Sequence, residues 1–424
     1  PCKPQFGNYY YHVLQGSTNA YTILKHIGEG GFGKVFKCQV NDSEEVVAVK
    51  ILKNMNIQDI KDELDMLDVI GQLNADQVHV VKLYEKFQHC GFTCLVFEML
   101  DIDLFQYCQN KGSLDVNAIR PIAMQLLETL QALKSLGITH GDFKYDNIML
   151  VNREDLPYRV KLIDFGLAFY TNKAKFGRVR QIIGFRSPEV SLGLPYTEAI
   201  DMWALGCLLA FLYLGYSLFP ESCEHLLFRS MVEILGIPSE RMLLSKFEYS
   251  VINRKKARTW PRDRIHFQSL DDLFYYHDPA DTAENVDRKV FIDLLKKMLH
   301  LNGAERISPT EALQHPFITM SHLSHDQGSR EYLNLAQTYM NFYSFKFSET
   351  ETLPPLGDVV AVSAADDNKE ANATEGYDYD QLVEDAFIKP SKSTLWVRIK
   401  KSVRKLFSLL RTKCPCCSPS SGNS

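Results

Sequence analysis

The sequence predicts an α+β protein in which a small, mostly β unit precedes a larger helical unit. Between residues 21 and 48, apolar and polar residues alternate and glycines interrupt the pattern, which indicates strands joined by a tight loop. Residues 57–70 carry apolar side chains at helical spacing, and two more strand-like runs follow before residue 100. Helical patterns then dominate as far as residue 318.

The composition is that of an ordinary soluble globular protein. The chain has 424 residues, of which 45% are hydrophobic and 23% charged, and a net charge of -5 argues against bulk nucleic-acid binding. Its ten cysteines are thinly spread, as is typical of reduced intracellular thiols, and the first residues show no secretory signal. The run from Met202 to Phe219 has the length of a membrane span, but its glycines and its closing Pro220 favour a buried core helix.

A glycine-rich stretch, GEGGFGKV, has the arrangement G-x-G-x-x-G-x-V through Gly28, Gly30, Gly33 and Val35. Alone it can be a simple turn, but a chain without Cβ atoms can also fold over phosphates and offer backbone N–H groups. The strand VVAVK follows and ends in Lys50, which can hold nucleotide phosphates if a carboxylate fixes it. Glu63, in the predicted helix, is the best candidate for that carboxylate.

The stretch ITHGDFKYDNIML contains the pattern H-x-D-x-K-x-x-N, formed by His140, Asp142, Lys144 and Asn147. Asp142 is placed to accept the proton of an attacking hydroxyl, Lys144 to neutralise a transferring phosphoryl group, and Asn147 to coordinate a magnesium ion. Any one of these residues alone could be a turn or capping residue. Four of them at this spacing favour a catalytic loop.

Another apolar strand, VKLIDFGLA, ends in Asp164, Phe165 and Gly166. We expect Asp164 to be the main magnesium ligand, because hard cations take carboxylate oxygens and bridge nucleotide phosphates. The tripeptide SPE follows at residues 187–189. Glycine loop, lysine, helix glutamate, base and metal ligands thus occur in one order along the chain.

This ordered set resembles the signature of the protein kinases. The resemblance covers roughly residues 13–318 and implies a two-lobed fold, in which ATP and Mg²⁺ bind between a small β-rich N-lobe and a larger helical C-lobe. Stretches such as SLGITHGDFKYDNIMLVN and LGLPYTEAIDMWALGC are similar to the homeodomain-interacting protein kinases, in the dual-specificity tyrosine-regulated kinase group. The implied activity is transfer of the γ-phosphoryl group of ATP to Ser or Thr, and to Tyr if specificity is dual, in protein substrates.

The resemblance also implies the roles of individual residues. Asp142 and Lys144 would be catalytic, Asn147 and Asp164 would bind the metal, and residues 98–100 would form the hinge that binds adenine, with Phe97 at the back of its pocket. The implied nucleotide-binding residues are Ile27, Gly28, Glu29, Gly30, Gly31, Phe32, Gly33, Val35, Ala48, Lys50, Glu63, Phe97, Glu98 and Leu100.

Three further positions match the family pattern around the activation segment, residues 164–189. Arg186 matches an arginine with which this group of kinases shapes a proline-tolerant substrate pocket. Glu189 and Arg306 match a buried ion pair that anchors the end of the segment.

Two positions depart from the pattern. Gly141 stands where an arginine is usual, and that arginine pairs with a phosphate on the activation segment without taking part in bond making. Val179 stands at the position of the activation tyrosine and cannot be phosphorylated, while nothing marks Tyr170 or Thr171 as a substitute. We therefore expect a kinase that tyrosine phosphorylation of this segment does not switch. The alternative is a weakly active enzyme or a pseudokinase-type nucleotide-binding scaffold.

The sequence divides the chain into four parts: an N-terminal extension (1–20), a kinase domain (21–318, with lobes 21–100 and 101–318), an acidic, largely disordered linker (319–388) and a basic amphipathic tail (389–424).

The sequence of the tail leaves two alternatives open. One is a disordered basic segment or a nuclear-import signal. The other, at residues 390–417, is an interfacial helix on an anionic membrane, reinforced by acylation of Cys414, Cys416 or Cys417. A calmodulin-like partner would use the same apolar face. We expect a monomer in the nucleus or cytoplasm, with peripheral membrane association through the tail as a further option and with no direct nucleic-acid binding.

Overall fold

The computed structural model describes residues 12–53, 57–174, 180–239, 242, 267–323 and 327–341. An antiparallel sheet with one helix is followed by a mostly helical unit, and this order confirms the predicted two-lobed α+β fold. The predicted positions at Val179 and in the tail at 389–424 lie outside the described residues.

The N-lobe is built on a six-stranded antiparallel sheet with the strand order β1-β2-β3-β4-β6-β5. Its strands are β1 Val13–Gln15, β2 Ala20–Glu29, β3 Gly33–Val40, β4 Val46–Leu52, β5 Leu83–His89 and β6 Phe92–Glu98. Alternate side chains such as Tyr21, Phe36 and Val49 point to one face and form a separate apolar core there. Helix α1, Ile57–Ile70, follows β4 and buries Met66, Leu67 and Ile70 in the main core.

The C-lobe is mainly helical. Its helices are α2 Leu104–Lys111, α3 Val116–Ser135, α4 Pro188–Ser191, α5 Ala199–Leu214, α6 Glu224–Leu235, α7 Thr282–Met298, α8 Pro309–Leu313, α9 Pro316–Thr319 and α10 Gln327–Asn341. Asp103 and Asp115 begin α2 and α3 by accepting backbone N–H groups, as N-cap residues do.

The apolar run that could have spanned a membrane is the central core helix. Every residue of α5 from Ile200 to Leu214 is buried, and Gly215 ends the helix with φ +76°. Within the described part of the chain, no helix combines the length and the apolar character that crossing a membrane requires. The prediction of a buried core helix is therefore confirmed.

Two short antiparallel ladders frame the loops that carry the candidate catalytic residues. Strand β7, Ile138–Thr139, pairs with β10, Phe169–Tyr170, and β8, Ile148–Asn152, pairs with β9, Leu156–Leu162. The loop at 140–147 runs from β7 to β8, and the loop at 163–168 runs from β9 to β10. The pairing therefore brings these two loops side by side.

The start of the segment assigned to the linker differs from the prediction. Helix α10 lies within 319–388, and its Tyr332 and Ala336 are buried against Ala283 and Leu323. The Tyr332 hydroxyl donates to Asp287 Oδ2 at 2.8 Å, and the same carboxylate is ion-paired with Arg120 inside the C-lobe. The folded unit therefore continues beyond residue 318, because α10 completes the coordination of a buried charge.

Candidate active site

Lys50 is fixed between two carboxylates at the centre of the cleft. Its Nζ lies 2.7 Å from Glu63 Oε1 and 2.8 Å from Asp164 Oδ1. Strand β4 supplies the lysine, helix α1 the glutamate, and the loop after β9 the aspartate. The predicted pairing of Lys50 with Glu63 is present, and the same ammonium group also positions Asp164.

Lys50 and Asp164 stay ionised in this cluster despite burial. Burial alone would lower the pKa of Lys50, but the charges of Asp164 and Glu63 outweigh it and the pKa is raised. Burial likewise acts to raise the pKa of Asp164, but the charge and hydrogen bond of Lys50 outweigh it, so that this pKa lies below its ordinary value. Asp164 is therefore a carboxylate at neutral pH, as a metal ligand must be.

The glycine-rich loop joins β2 to β3 above this cluster. A Cβ atom added at Gly33 would lie 2.6 Å from the backbone oxygen of Ile51, so packing against β4 requires a glycine there. At Gly30 and Gly31 an added Cβ would meet nothing within 4 Å, and at Gly28 only Val35 at 4.0 Å. Packing therefore does not explain these three glycines, whereas a ligand that approaches the backbone closely does.

Contacts of Lys53, which follows β4, and of Phe32 hold the tip of the loop in place. Lys53 Nζ donates to the backbone oxygen of Gly30 at 2.7 Å and pairs with Glu29 at 3.0 Å. The Phe32 ring lies over the cleft, with its centroid 5.7 Å from Lys50 Nζ, and a Cβ at Gly166 would come within 3.3 Å of it. The loop thus covers Lys50 and the Asp164-Phe165-Gly166 turn together.

The catalytic-loop candidates form one hydrogen-bonded group. Asp142 is buried, with only 8% of its surface exposed. Its Oδ2 lies 3.1 Å from Lys144 Nζ and 3.0 Å from the Nδ2 group of Asn147, which also donates to the Asp142 backbone oxygen at 2.8 Å. The structure therefore brings together the three residues predicted from the H-x-D-x-K-x-x-N pattern.

Asp201 holds the backbone of this loop, and the sequence analysis did not assign it a functional part. Its Oδ2 and Oδ1 accept the backbone N–H groups of His140 at 2.7 Å and Gly141 at 3.0 Å. The side chain lies on α5 and is only 2% exposed. A carboxylate inside an otherwise apolar helix was the available signal, because a buried charge needs partners.

His140 links this loop to the next one. Its ring packs edge-on against Phe165 with centroids 5.1 Å apart, and its Nε2 lies 3.2 Å from the backbone oxygen of Ile163. Asp142 lies two residues after His140, and Asp164 lies between Ile163 and Phe165. Their loops are therefore fixed relative to each other.

The chemistry of Asn147 and Asp164 fits a magnesium ion. Magnesium takes oxygen ligands and usually binds through one or two protein side chains together with substrate phosphates. Because the Nδ2 group of Asn147 is committed to Asp142, the atom that Asn147 can offer to a cation is Oδ1. Asp164 offers carboxylate oxygens that stay ionised, so the donor set suits a hard cation.

An apolar cavity extends from Lys50 to the end of strand β6 at Glu98, where the predicted hinge begins. Its lining includes the predicted Ile27, Val35, Ala48, Lys50, Glu63, Phe97, Glu98 and Leu100. Met99, within the predicted hinge, lines the same cavity, and so do Leu67, Val81, Met149, Ile163 and Phe165, which were not predicted. Met149 and Ile163 lie close in sequence to Asn147 and Asp164, so the spacing to those residues was a usable signal.

The end of the activation segment is anchored as the sequence predicted. Arg306 Nη1 and Nη2 donate to Glu189 Oε1 at 2.8 Å and Oε2 at 3.0 Å, and the pair is almost wholly buried. Arg306 also donates to the backbone oxygens of Ala199 and His300, so its donors are matched.

Arg186 holds a backbone carbonyl in an unusual conformation. Gln181 has φ +61°, and its carbonyl oxygen accepts from Arg186 Nη2 at 2.8 Å and Nε at 3.2 Å. The Gln181 side chain fixes this geometry by donating to the backbone oxygen of Ile200 and accepting from the N–H of Ser187. The Gln181 carbonyl is therefore already occupied.

Comparison with known proteins agrees with this geometry. The family model described as the protein kinase domain matches residues 21–318. The chain belongs to the protein kinase family. It is similar to homeodomain-interacting protein kinase 2 of Mus musculus, with 40% identity over 344 residues that make up 74% of this chain and 29% of that protein.

More distant relatives of the same name are also similar. Homeodomain-interacting protein kinase 1 of Caenorhabditis elegans is 37% identical over 345 residues, which cover 72% of this chain and 41% of the relative. Homeodomain-interacting protein kinase 4 of Homo sapiens is 32% identical over 389 residues, which cover 82% of this chain and 62% of the relative. The chain thus spans less than two thirds of each of these relatives.

Proposed function

We propose that this chain transfers the γ-phosphoryl group of ATP to Ser or Thr hydroxyls of protein substrates. The observation that carries the proposal is the double ion pair of Lys50 with Glu63 and Asp164, facing a catalytic loop in which Asp142 is bonded to both Lys144 and Asn147. Each group that phosphoryl transfer requires is present and joined to its neighbours.

The residues divide the reaction among them. Asp142 accepts the proton of the attacking hydroxyl as the new O–P bond forms and the bond between the γ-phosphorus and the β,γ-bridging oxygen breaks, leaving ADP. Lys144, 3.1 Å from Asp142, neutralises charge on the moving phosphoryl group, and Lys50 holds the phosphates that stay behind. Asn147 and Asp164 would hold magnesium, which would supply positive charge against the phosphates.

We propose further that the substrate site accepts proline after the phosphorylated residue. A backbone carbonyl that already accepts from Arg186 gains nothing from a substrate N–H, so a residue without an N–H is tolerated at that position. The match of Arg186 to the arginine of the proline-tolerant kinases supports the same assignment.

A peptide-library phosphorylation assay tests both proposals. Wild-type protein with Mg²⁺ and ATP should label Ser or Thr peptides, including those with proline in the following position. Lys50→Met should abolish labelling, because it removes the cation between Glu63 and Asp164. Lys86→Met is the matched control, since Lys86 pairs on the surface with Asp68, whose side chain is 61% exposed.

Equal labelling by the wild type and Lys50→Met would refute the enzyme proposal. Labelling of tyrosine peptides alone would refute the Ser/Thr assignment, and rejection of every proline-containing peptide would refute the pocket assignment. The scaffold alternative has no support in the described residues, because the phosphate-binding and metal-binding candidates are all in place. We propose the protein substrates and a nuclear or cytoplasmic location on the resemblance alone.

A further inference from the structure

Gly141 lies tightly against the start of the activation segment. It has φ +74°, and a Cβ atom added there would lie 3.0 Å from Phe169 Cε1 and 3.3 Å from the backbone oxygen of Leu167. The two groups that border Gly141 are therefore an aromatic ring and a carbonyl. A longer side chain at this position would displace one of them.

Arg180 contacts both of these groups from the other end of the segment. Its Nη1 donates to the backbone oxygen of Leu167 at 2.8 Å, and its Cζ lies 4.4 Å from the centre of the Phe169 ring. Only 8% of the Arg180 surface is exposed. An almost buried guanidinium thus contacts the same two groups that crowd Gly141.

The backbone next to Arg180 is tied to the catalytic loop and the substrate pocket. The N–H of Gln181 donates to the backbone oxygen of Gly141 at 3.2 Å, and the carbonyl of Arg180 accepts from Arg186 Nε at 3.1 Å. The contacts of Arg180 therefore join the beginning of the segment, at Leu167 and Phe169, to its end.

We infer that Arg180 is the residue that positions the activation segment and that its guanidinium takes the place of the arginine missing at Gly141. The inference rests on the proposed kinase function and adds how that site is kept in its working arrangement. The positive charge comes from the segment itself, so the arrangement needs no phosphate on the segment. Removing Arg180 should loosen the contacts of Leu167, Phe169 and Gln181 and weaken peptide turnover, while the ATP cavity, which Arg180 does not line, keeps its affinity.

The test compares Arg180→Met, Arg180→Lys and the control Arg229→Met with the wild type. Arg229 lies on α6 and pairs with Glu233 at the surface, where 42% of its side chain is exposed. We expect Arg180→Met to lower kcat/KM for peptide about 10- to 100-fold, as misplacement of substrate groups does, with KM for ATP within about twofold of wild type. Arg180→Lys should recover part of the loss, because an ammonium can still donate to Leu167.

Hydrogen exchange and phosphatase treatment complete the test. Arg180→Met should speed exchange of the Gln181 amide, whereas Arg229→Met should not, and this readout does not depend on activity. Phosphatase treatment of the wild type should leave its activity unchanged. The inference is overturned if Arg180→Met matches Arg229→Met in turnover and exchange, or if dephosphorylation inactivates the wild type.

The proposed function fails separately, if the wild type labels no more than Asp164→Asn. In that case the exchange of the Gln181 amide alone still decides whether Arg180 holds the segment. If Arg180→Met does not fold, Arg180→Lys serves in the same two measurements, and exchange no faster than in the wild type together with full turnover would overturn the inference.

Discussion

Replacing Lys161 by methionine should destabilise the protein far more than replacing a surface lysine. Lys161 lies on β9, is only 1% exposed, and places its Nζ 2.6 Å from Glu98 Oε1 and 2.7 Å from Asp76 Oδ1. Glu98 belongs to the predicted hinge, and Asp76 lies in the loop between α1 and β5. The buried ammonium therefore joins three separate segments, one of which, at Glu98, lines the cleft.

The expected magnitude follows from what the substitution leaves behind. Breaking a buried ion pair by removing one partner costs about 3–5 kcal/mol. The cost is reduced here because the Asp76 side chain is 35% exposed and keeps Arg159 at 3.5 Å, while Glu98 still accepts the backbone N–H of Lys82 at 2.6 Å. We expect the free energy of unfolding to fall by about 2–3 kcal/mol.

Urea unfolding of Lys161→Met and Lys86→Met measures the difference directly. The surface pair of Lys86 and Asp68 is worth less than about 1 kcal/mol. Because Lys161 also lowers the pKa of Asp76 below its ordinary value against the effect of burial, that pKa should rise in Lys161→Met. Equal losses of stability in the two variants, within about 0.5 kcal/mol, would refute the reasoning.

Four further substitutions test other parts of the structure. Gly33→Ala should lower the free energy of unfolding by about 1–3 kcal/mol, because its Cβ would meet Ile51. Gly30→Ala should instead leave stability unchanged and raise KM for ATP. Thermal melting and ATP titration distinguish the two variants, and identical behaviour would contradict the assignment. Tyr332→Phe should lower the free energy of unfolding, measured in urea, by about 1 kcal/mol, because it removes the hydrogen bond to Asp287. An unchanged free energy of unfolding would argue against α10 as part of the folded unit. Burial, with the nearby charges of Lys297 and His322, holds the pKa of His315 below its ordinary value despite its bond to Asp293. Because the unfolded chain binds the proton more readily, the free energy of unfolding should fall as pH drops below about 6.5. His315→Asn should flatten that slope in unfolding measured at pH 5 and pH 7.

The sequence predicted the parts of the site that follow from local spacing. Lys50 lies on a strand and Glu63 on the helix that follows it, so their pairing could be predicted from order along the chain. Asp142, Lys144 and Asn147 lie within six positions, so a single short motif predicts that they contact one another. Glu189 and Arg306 could be paired only through the resemblance, because more than a hundred residues separate them.

The parts that the sequence did not predict depend on contacts between distant segments. Asp201 lies in an apolar helix, and its partners His140 and Gly141 are about sixty residues earlier, so no local pattern joins them. Helix α10 has mostly polar residues and therefore resembles a linker in sequence. Only the contact of Tyr332 with Asp287, which is distant in sequence, shows that it belongs to the folded unit. Arg180 belongs to no motif, and its role follows only from its contacts with Leu167 and Phe169, the two groups next to Gly141.

The most direct test of the central claim is the turnover of Asp142→Asn beside the wild type, on a Ser or Thr peptide without prior phosphorylation of the kinase. We expect kcat to fall about 10²- to 10⁴-fold, as loss of a general base does, while KM for ATP stays within about twofold, because Asp142 does not line the ATP cavity. A wild type that turns over no faster than Asp142→Asn would contradict the claim that this cleft transfers phosphoryl groups.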